Sequence, residues 1–232
     1  MAKSIPQSAA FADEADLIRF CRFASHRKKS RRYILRNIVI SIYSPRVIPS
    51  GVLVAFCHQE ELEDYAIVLT WRSAKLKAHS NQMSFPGGRQ EKTDEDLIAT
   101  ALRETQEEIG IAKKNIRPLG VLNALKTPTG YLIQPTLALL EAKPNPQAIN
   151  TTEVEEVYLI PTSLLLDPSN YQVSQTKRPM LHFLPFNILQ IFYKGRPIWG
   201  ATAEILYDLA SAYYAYRKKY PLERDFKKSL VN

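Results

Sequence analysis

Residues 85–111 constrain the fold most, because they encode a tight glycine turn followed by a helix with a distinctive charge pattern. Phe85-Pro86-Gly87-Gly88 marks the turn, and residues 94–109 have helical spacing. Thr93-Asp94 provides N-cap side chains, and Gly110 provides a C-terminal stop. The segment is therefore predicted to be a loop that leads into a capped helix.

One face of this helix carries three carboxylates, and the adjacent face is apolar. With about 100° between successive helical residues, the three glutamates fall within an arc of about 100°. They are Glu104, Glu107 and Glu108, and the apolar face is formed by Ile98, Leu102 and Ile109. Like charges at this spacing repel by about 0.2–0.5 kcal/mol per pair. The pattern therefore indicates that something offsets the repulsion.

Two agents offset such repulsion. Water and counterions do so on an ordinary exposed acidic face, which is the simpler interpretation for any single pair of glutamates. A divalent cation does so at a metal site, and hard carboxylate oxygens suit Mg²⁺ or Mn²⁺. Such an ion polarises phosphoryl groups and activates water. The second interpretation predicts cleavage of a phosphate ester or anhydride.

The helix and its turn resemble the Nudix box, G-x5-E-x7-R-E-U-x-E-E-x-G-U, where U is a bulky aliphatic residue. The matching positions are Gly88, Arg103, Glu104, Glu107, Glu108, Gly110 and Ile111. Thr105 replaces one bulky residue, and Gly88 to Arg103 is one residue longer than the pattern, although Glu95 keeps its distance to Arg103. The resemblance implies a Nudix α/β/α sandwich, with a mixed sheet and extra N- and C-terminal helices.

The same resemblance assigns roles to these residues. It implies that Glu104, Glu107 and Glu108 ligate Mg²⁺ or Mn²⁺ and that Arg103 orients the glutamates through hydrogen bonds. Glu107 and Glu108 are also candidates for catalysis. The Gly-Gly turn would let the loop backbone pack closely against the helix.

A second segment, residues 68–88, resembles the coenzyme A pyrophosphatase signature L-L-T-x-R-S-x-x-L-x-x-H-x-G-Q-x-x-F-P-G-G. Asn81 stands where the signature has glycine, and asparagine tolerates a positive φ better than most residues. The resemblance extends over residues 35–210 and implies substrate contacts at Arg72, Ser73, His79, Gln82, Gly87, Gly88 and Arg89. Arginine suits phosphate oxygens. A strand-end salt bridge for Arg72 and a structural hydrogen bond for His79 are the alternatives.

Hydrolysis also needs a general base that accepts the proton of the attacking water. The candidates are the helix residues Glu107 and Glu108 and a later cluster of Glu153, Glu155 and Glu156. A solvated strand edge is the simpler interpretation of that cluster. We favour Glu153.

Together these features predict metal-dependent hydrolysis of the diphosphate of coenzyme A or acyl-CoA. The family implies 3′,5′-ADP and 4′-phosphopantetheine, or its acyl form, as products. One alternative is a Nudix pyrophosphatase for another nucleoside diphosphate derivative, such as an ADP-sugar, a dinucleotide or an oxidised nucleoside triphosphate. The other is a non-catalytic Nudix module that binds or regulates, with basic ends that grip a polyanion.

The formal net charge of +8 is concentrated at the two ends of the chain. Residues 1–36 carry +6, residues 212–232 carry +4, and residues 37–211 carry −2. We predict a basic N-terminal helical extension, a Nudix hydrolase domain and a basic C-terminal helix end and tail over these three ranges. Because no nucleic-acid motif accompanies the charge, we interpret the basic run near residue 30 as a solvated helix end and expect no nucleic-acid partner.

The apolar runs predict strands and helices around this site. Strands are expected at 51–56, 65–70, 117–125, 133–141, 155–160, 188–193 and 197–199, and a further helix at 201–218. No run is long enough for a membrane span and the N-terminus does not resemble a signal peptide, so we expect a cytoplasmic protein with no membrane partner. Cys21 and Cys57 have no partner at disulfide or zinc spacing and are expected to be inert. The tyrosine-rich last helix makes a homodimer a candidate assembly.

Overall fold

The computed structural model describes residues 9–28, 31–75, 80–175 and 187–222. The elements, in chain order, are α1 (Glu14–Ser25), α2 (Arg31–Tyr43), β1 (Ile48–Gln59), β2 (Asp64–Arg72), β3 (Met83–Ser84), β4 (Gly87–Arg89), α3 (Leu97–Ile109), β5 (Ile116–Val121), β6 (Leu125–Lys126), β7 (Tyr131–Leu140), β8 (Val154–Pro161), α4 (Thr162–Leu165), β9 (Gln172–Gln175), β10 (Asn187–Tyr193), β11 (Arg196–Trp199) and α5 (Gly200–Lys219). Within these ranges, no helix combines the length and the apolar character needed to cross a membrane.

The main sheet is mixed, as the sequence predicts. Its central strands lie in the order β3-β2-β1-β7-β5, with β1 parallel to β7 and antiparallel to β2. The short strands β4 and β6 pair with β1 and β7, and β8 pairs with β2. A second sheet has the order β11-β10-β9. Helices cover both faces of the main sheet, so the predicted α/β/α class is confirmed.

Alternation along β1 divides the core into two layers. Val54 and Phe56 belong to a large cluster with residues of α1 and α5, whereas Leu53, Ala55 and Cys57 belong to a smaller cluster with residues of α3. Successive side chains of a strand point to opposite faces, so one apolar run supplies both layers. This arrangement places α3 directly on β1 and brings Glu108 of its acidic face to the end of β2 and the start of β4.

The two predicted helices and most of the predicted strands are confirmed, but the strand expected at 117–125 is two strands, β5 and β6, with residues 122–124 between them. The proposed cap of α3 is also wrong. The helix begins at Leu97, and the N-cap is Asp96, whose carboxylate accepts a hydrogen bond from the Ala99 N–H at 2.7 Å. Asp94 is occupied by other hydrogen bonds before the helix starts, including one from the Glu91 N–H at 2.9 Å. At the other end, Gly110 takes the expected left-handed conformation with φ of 71°.

The N-terminal helix α1 packs against α5 through a buried ion pair. Arg217 Nη1 and Tyr216 Oη donate to Asp16 Oδ1 at 3.1 and 2.6 Å. Burial raises the pKa of Asp16, but the hydrogen bonds from Arg217 and Tyr216 outweigh it and leave this pKa below its usual value. Tyr216 is fully buried, whereas Tyr214 is exposed, so much of the aromatic character of α5 serves the chain's own core.

Cys21 and Cys57 are buried, and neither forms a disulfide. Burial raises the pKa of both thiols, which keeps them protonated and agrees with the expected inert role. The division of the chain at residues 36 and 211 stays a prediction.

Candidate active site

The three glutamates of α3 differ strongly in exposure. The side chain of Glu108 is 1% exposed, that of Glu104 is 16% exposed and that of Glu107 is 54% exposed. Glu108 points toward the sheet, since its position lies between the core face of the helix and its acidic face. The same acidic face thus presents carboxylates in three different environments.

Glu108 is held by two groups from other segments. Arg72 Nη1, at the end of β2, donates to Glu108 Oε1 at 3.3 Å, and the Gly87 N–H donates to Oε2 at 3.2 Å. Burial raises the pKa of Glu108 to about 8, although Arg72 and the Gly87 N–H act in the opposite direction. The charges of Glu104 and Glu153 raise it further. The positive groups around Glu108 therefore do not fully compensate the negative charge of its carboxylate, and a cation bound beside it would supply the missing compensation.

Arg103 organises the solvent side of the site. Its Nε and Nη2 donate to the two carboxylate oxygens of Asp94 at 2.9 and 3.0 Å. Its Nη1 donates to Glu104 at 3.1 Å and to Glu107 at 2.9 Å, and its Nη2 also donates to the Arg89 carbonyl at 3.1 Å. The predicted orienting role of Arg103 therefore has a structural counterpart. The guanidinium beside Asp94 holds the pKa of that carboxyl well below its usual range.

The sequence reasoning did not assign Asp94 to the site. The available signal was weak, because Asp94, Glu95 and Asp96 are three consecutive acids and any of them fits a helix start. The structure gives each a different position: Asp94 binds Arg103, Glu95 is exposed, and Asp96 caps α3.

The glycine turn brings the loop backbone against α3, as predicted. A Cβ atom on Gly88 would lie 2.3 Å from Glu104 Oε1. Gly87 has φ of 147°, and a Cβ there would lie 2.4 Å from the Gly51 carbonyl oxygen. Only glycine allows this close approach at both positions. The turn consequently leaves room for the Glu104 carboxylate and directs the Gly87 N–H toward Glu108.

The structure does not bring Glu104, Glu107 and Glu108 together as metal ligands. Across the described part of the chain, no three His, Cys, Asp or Glu side chains are arranged to hold a metal ion. Glu104 and Glu107 instead contact Arg103, and Glu108 contacts Arg72.

The chemistry of these donors nevertheless fits a hard divalent cation. Burial raises the pKa of Glu104 against the pull of Arg103, and repulsion from Glu107 and Glu153 raises it further. Carboxylate oxygens are the ligands that Mg²⁺ and Mn²⁺ prefer, and a divalent charge would relieve this repulsion. Glu104, Glu107 and Glu108 are the residues that would hold such an ion.

Glu153 lies next to these carboxylates. The Ser73 N–H donates to the Glu153 carbonyl at 2.8 Å, which fixes Glu153 beside the end of β2. The Asn150 N–H donates to the Glu108 carbonyl at 3.0 Å, so the segment before Glu153 is also attached to the end of α3. The charge of Glu153 acts on both Glu104 and Glu108.

The cluster of three later glutamates does not act as one group. Glu156 accepts a hydrogen bond from the Tyr158 hydroxyl and forms an ion pair with Arg196 Nη2 at 3.3 Å. Arg196 also stacks over Trp71, with 4.2 Å between the guanidinium carbon and the ring centroid. Glu156 therefore belongs to an aromatic and cationic cluster, whereas Glu153 belongs to the α3 carboxylates.

The remaining predicted substrate residues take varied positions. Arg89 is exposed and donates from Nη2 to the Tyr131 hydroxyl at 2.6 Å, which links the turn to the start of β7. Ser73 is buried, and its Oγ accepts from the Lys75 N–H at 3.3 Å. The Gln82 carbonyl accepts from the Arg72 N–H at 3.0 Å.

Two further positions of the signature segment have different outcomes. Asn81 has φ of 54°, so the positive φ considered for this glycine replacement is confirmed. His79 lies outside the described residues.

Comparisons with known proteins identify the family of the chain. Residues 48–182 match the model of the NUDIX domain. A protein named "Uncharacterized Nudix hydrolase NudL" from Photorhabdus laumondii is 37% identical over 145 residues, which cover 62% of this chain and 75% of that protein. The protein of the same name from Pectobacterium atrosepticum is 35% identical over 144 residues, or 62% of this chain and 73% of that protein.

A comparison of structures gives a more distant similarity. The crystal structure of a MutT/nudix family protein from Enterococcus faecalis aligns with 86% of this chain and 73% of that chain. The TM-score is 0.43 and the sequence identity is 16%. Similarity at this level does not bear on the substrate.

Proposed function

The chain belongs to the NUDIX domain family, and we propose that it hydrolyses the diphosphate bond of coenzyme A or an acyl-CoA with Mg²⁺ or Mn²⁺. Membership of this family makes the chain a pyrophosphohydrolase that uses a divalent cation. The identity of its substrate is what we propose. The products would be 3′,5′-ADP and 4′-phosphopantetheine or its acyl form.

One observation carries the choice of substrate. The segment that resembles the coenzyme A pyrophosphatase signature contacts the acidic helix near both of its ends, because Arg72 Nη1 lies 3.3 Å from Glu108 Oε1 and the Gly87 N–H donates to Glu108 Oε2 at 3.2 Å. The neighbouring Ser73 holds the backbone of Glu153. The signature segment and the Nudix box thus meet in one place. Coenzyme A carries a diphosphate and a 3′-phosphate, and Arg72 and Arg89 provide planar cations that suit phosphate oxygens.

A bound divalent cation would polarise a phosphoryl oxygen and lower the pKa of water near it. The residues of this chain position the other groups. Arg72 compensates negative charge on the diphosphate, and Arg103 keeps Glu104 and Glu107 oriented through the hydrogen bonds already described. Water forms a new P–O bond, the bond to the bridging oxygen breaks, and the water proton passes to a carboxylate. We propose Glu153 for this last role.

The identity of the base is tested with two matched variants, Glu153→Gln and Glu156→Gln. Loss of a general base lowers kcat by about 10²–10⁴-fold. We expect this loss for Glu153→Gln and a change of less than about threefold for Glu156→Gln, since the latter side chain contacts Tyr158 and Arg196. The decrease of kcat at acidic pH should disappear in Glu153→Gln and remain in Glu156→Gln. Equal losses in both variants would contradict the assignment.

The substrate is tested by mass spectrometry of the products formed from coenzyme A, acetyl-CoA, ADP-ribose and 8-oxo-dGTP, each with Mg²⁺ or Mn²⁺. Glu107→Gln removes a proposed ligand, and Glu61→Gln is the matched control at an exposed acid of the β1–β2 connection. We expect 3′,5′-ADP from coenzyme A in the wild type and in Glu61→Gln, but not in Glu107→Gln. Reaction in ¹⁸O-labelled water should place the label on one product only. Turnover of ADP-ribose or 8-oxo-dGTP alone would reject the proposed substrate.

A further inference from the structure

Helix α2 carries a row of exposed apolar side chains. Ile34, Leu35, Ile38 and Ile42 are 43%, 62%, 51% and 72% exposed. At about 100° per residue they lie within an arc of about 100°, so they form one continuous face. We call these four residues the α2 stripe. Nothing in the sequence pattern alone distinguished this face from a face that packs on the core.

The opposite side of α2 is attached to the rest of the protein. Ile40 is 2% exposed. Arg36 Nη1 donates to the Lys126 carbonyl at 2.9 Å, and Asn37 Nδ2 donates to the Ala124 carbonyl at 3.1 Å. The Lys126 N–H donates back to Asn37 Oδ1 at 3.2 Å. Arg36 and Ile40 lie about 150–170° from the centre of the stripe around the helix, and Asn37 lies about 110° from it, so the orientation of α2 holds the stripe outward.

The sequence on either side of the stripe carries only positive charge. Residues 17–59 contain nine lysines and arginines and no aspartate or glutamate. Six of the nine bases lie between residues 27 and 36 of the sequence; Lys28 is exposed, whereas Arg36 belongs to the anchored side of α2. An apolar helix face accompanied by a dense positive charge is the pattern of a helix that lies in the interface of an anionic membrane.

We propose that the α2 stripe and its basic surroundings bind the surface of an anionic lipid bilayer. The apolar side chains enter the boundary between headgroups and acyl chains, and the net positive charge of residues 17–59 attracts the anionic surface. This is peripheral contact by one face of a short helix, which differs from a membrane span. Charge makes a second copy the weaker occupant, since a symmetric contact would bring two basic runs together. A nucleic acid would leave the apolar stripe unused.

The proposal is tested by sedimentation of the full chain with phosphatidylcholine vesicles, with and without phosphatidylglycerol. Leu35→Glu places a charge in the stripe, and Val173→Glu is the matched control, because Leu35 and Val173 are 62% and 60% exposed. Burial of one leucine corresponds to about 1.5–3 kcal/mol, or about a tenfold to hundredfold change in affinity. Ile42→Glu, at 72% exposure, is the second variant, and circular dichroism checks that each variant is folded.

We expect binding to the vesicles that contain phosphatidylglycerol, with a decrease when salt is raised. Leu35→Glu and Ile42→Glu should each weaken binding by at least about tenfold, and Val173→Glu should not change it. Equal binding to both kinds of vesicle, or equal behaviour of Leu35→Glu and Val173→Glu, would overturn the proposal. So would a dimer in analytical ultracentrifugation that Leu35→Glu dissociates without any vesicle binding by the wild type.

Discussion

Addition of one methyl group at Gly88 should displace the Glu104 carboxylate while the fold is preserved. The Cβ of Gly88→Ala would lie 2.3 Å from Glu104 Oε1, so the carboxylate must withdraw by about 0.7 Å to reach the 3.0 Å that real Cβ contacts keep. The atoms in the way form the far end of a flexible side chain, and φ of Gly88 is not in the left-handed region. The required movement is therefore cheap for stability and harmful for the geometry of the site.

The expected magnitudes follow from these contacts. A catalytic group displaced by about 1 Å can cost about 100-fold in rate, so we expect kcat/KM to fall by about 10- to 100-fold. The free energy of unfolding should change by less than about 1 kcal/mol, because alanine also restricts the unfolded chain. Gly87→Ala is the contrasting variant. It combines φ of 147° with a 2.4 Å approach to the Gly51 carbonyl, so about 3 kcal/mol of stability should be lost.

The assay measures coenzyme A hydrolysis at several Mg²⁺ concentrations and urea unfolding of the same preparations. The double variant Gly88→Ala/Glu104→Asp provides the internal control, because a shorter side chain removes the clash. Its activity should exceed the product of the two single effects. Wild-type activity of Gly88→Ala would refute the reasoning, and so would a double variant that is strictly additive.

Three further predictions rest on the ion pairs. Asp94→Asn should lower the free energy of unfolding by about 2–3 kcal/mol, because two charge-assisted hydrogen bonds to Arg103 are weakened. A decrease of less than about 0.5 kcal/mol, measured by urea unfolding, would contradict this. Asp16 has a pKa below its usual 3.8 in the folded chain, so its pairing with Arg217 stabilises the fold above that pH and is lost as the pH falls through the lowered pKa. Thermal melts between neutral and strongly acidic pH should therefore show a smaller acid-induced decrease for Asp16→Asn than for the wild type. Arg72→Lys should raise KM for coenzyme A by about tenfold with a smaller effect on kcat, since the ammonium of lysine is a point charge and replaces a planar guanidinium. If initial-rate measurements give an unchanged KM, Arg72 does not contact a phosphate.

The sequence predicted what depends on local spacing. Periodicity located the long strands, α3 and α5, because alternation and helical repeats are properties of neighbouring residues. It also located the glycine turn, since Gly87-Gly88 permits an approach that other residues prevent. The pairing of β1 with β7 was not predictable in this way, because these strands lie about 80 residues apart and their register depends on the whole sheet.

The partners of charged residues were predicted least well. Asp94, Glu95 and Asp96 are equivalent in sequence, and only the entry angle of the chain into α3 decides that Asp96 caps and Asp94 binds Arg103. Arg72 is 36 positions from Glu108, so no local pattern indicates their contact. Helix α2 was missed because its first turn has no acidic residue, which removes the usual start signal.

The backbone around Glu153 strengthens its assignment over that of its neighbours. Ser73 fixes the carbonyl of Glu153 to the end of β2, and Asn150 fixes the preceding residues to the carbonyl of Glu108. Both ends of this short segment are thus attached to elements that carry the other charged groups of the site. Because main-chain hydrogen bonds hold both ends, the backbone of Glu153 is fixed relative to the end of β2 and the end of α3. A proton acceptor in a hydrolase needs this kind of fixed distance to its reaction centre, and the exposed side chain of Glu156 is instead fixed to Arg196.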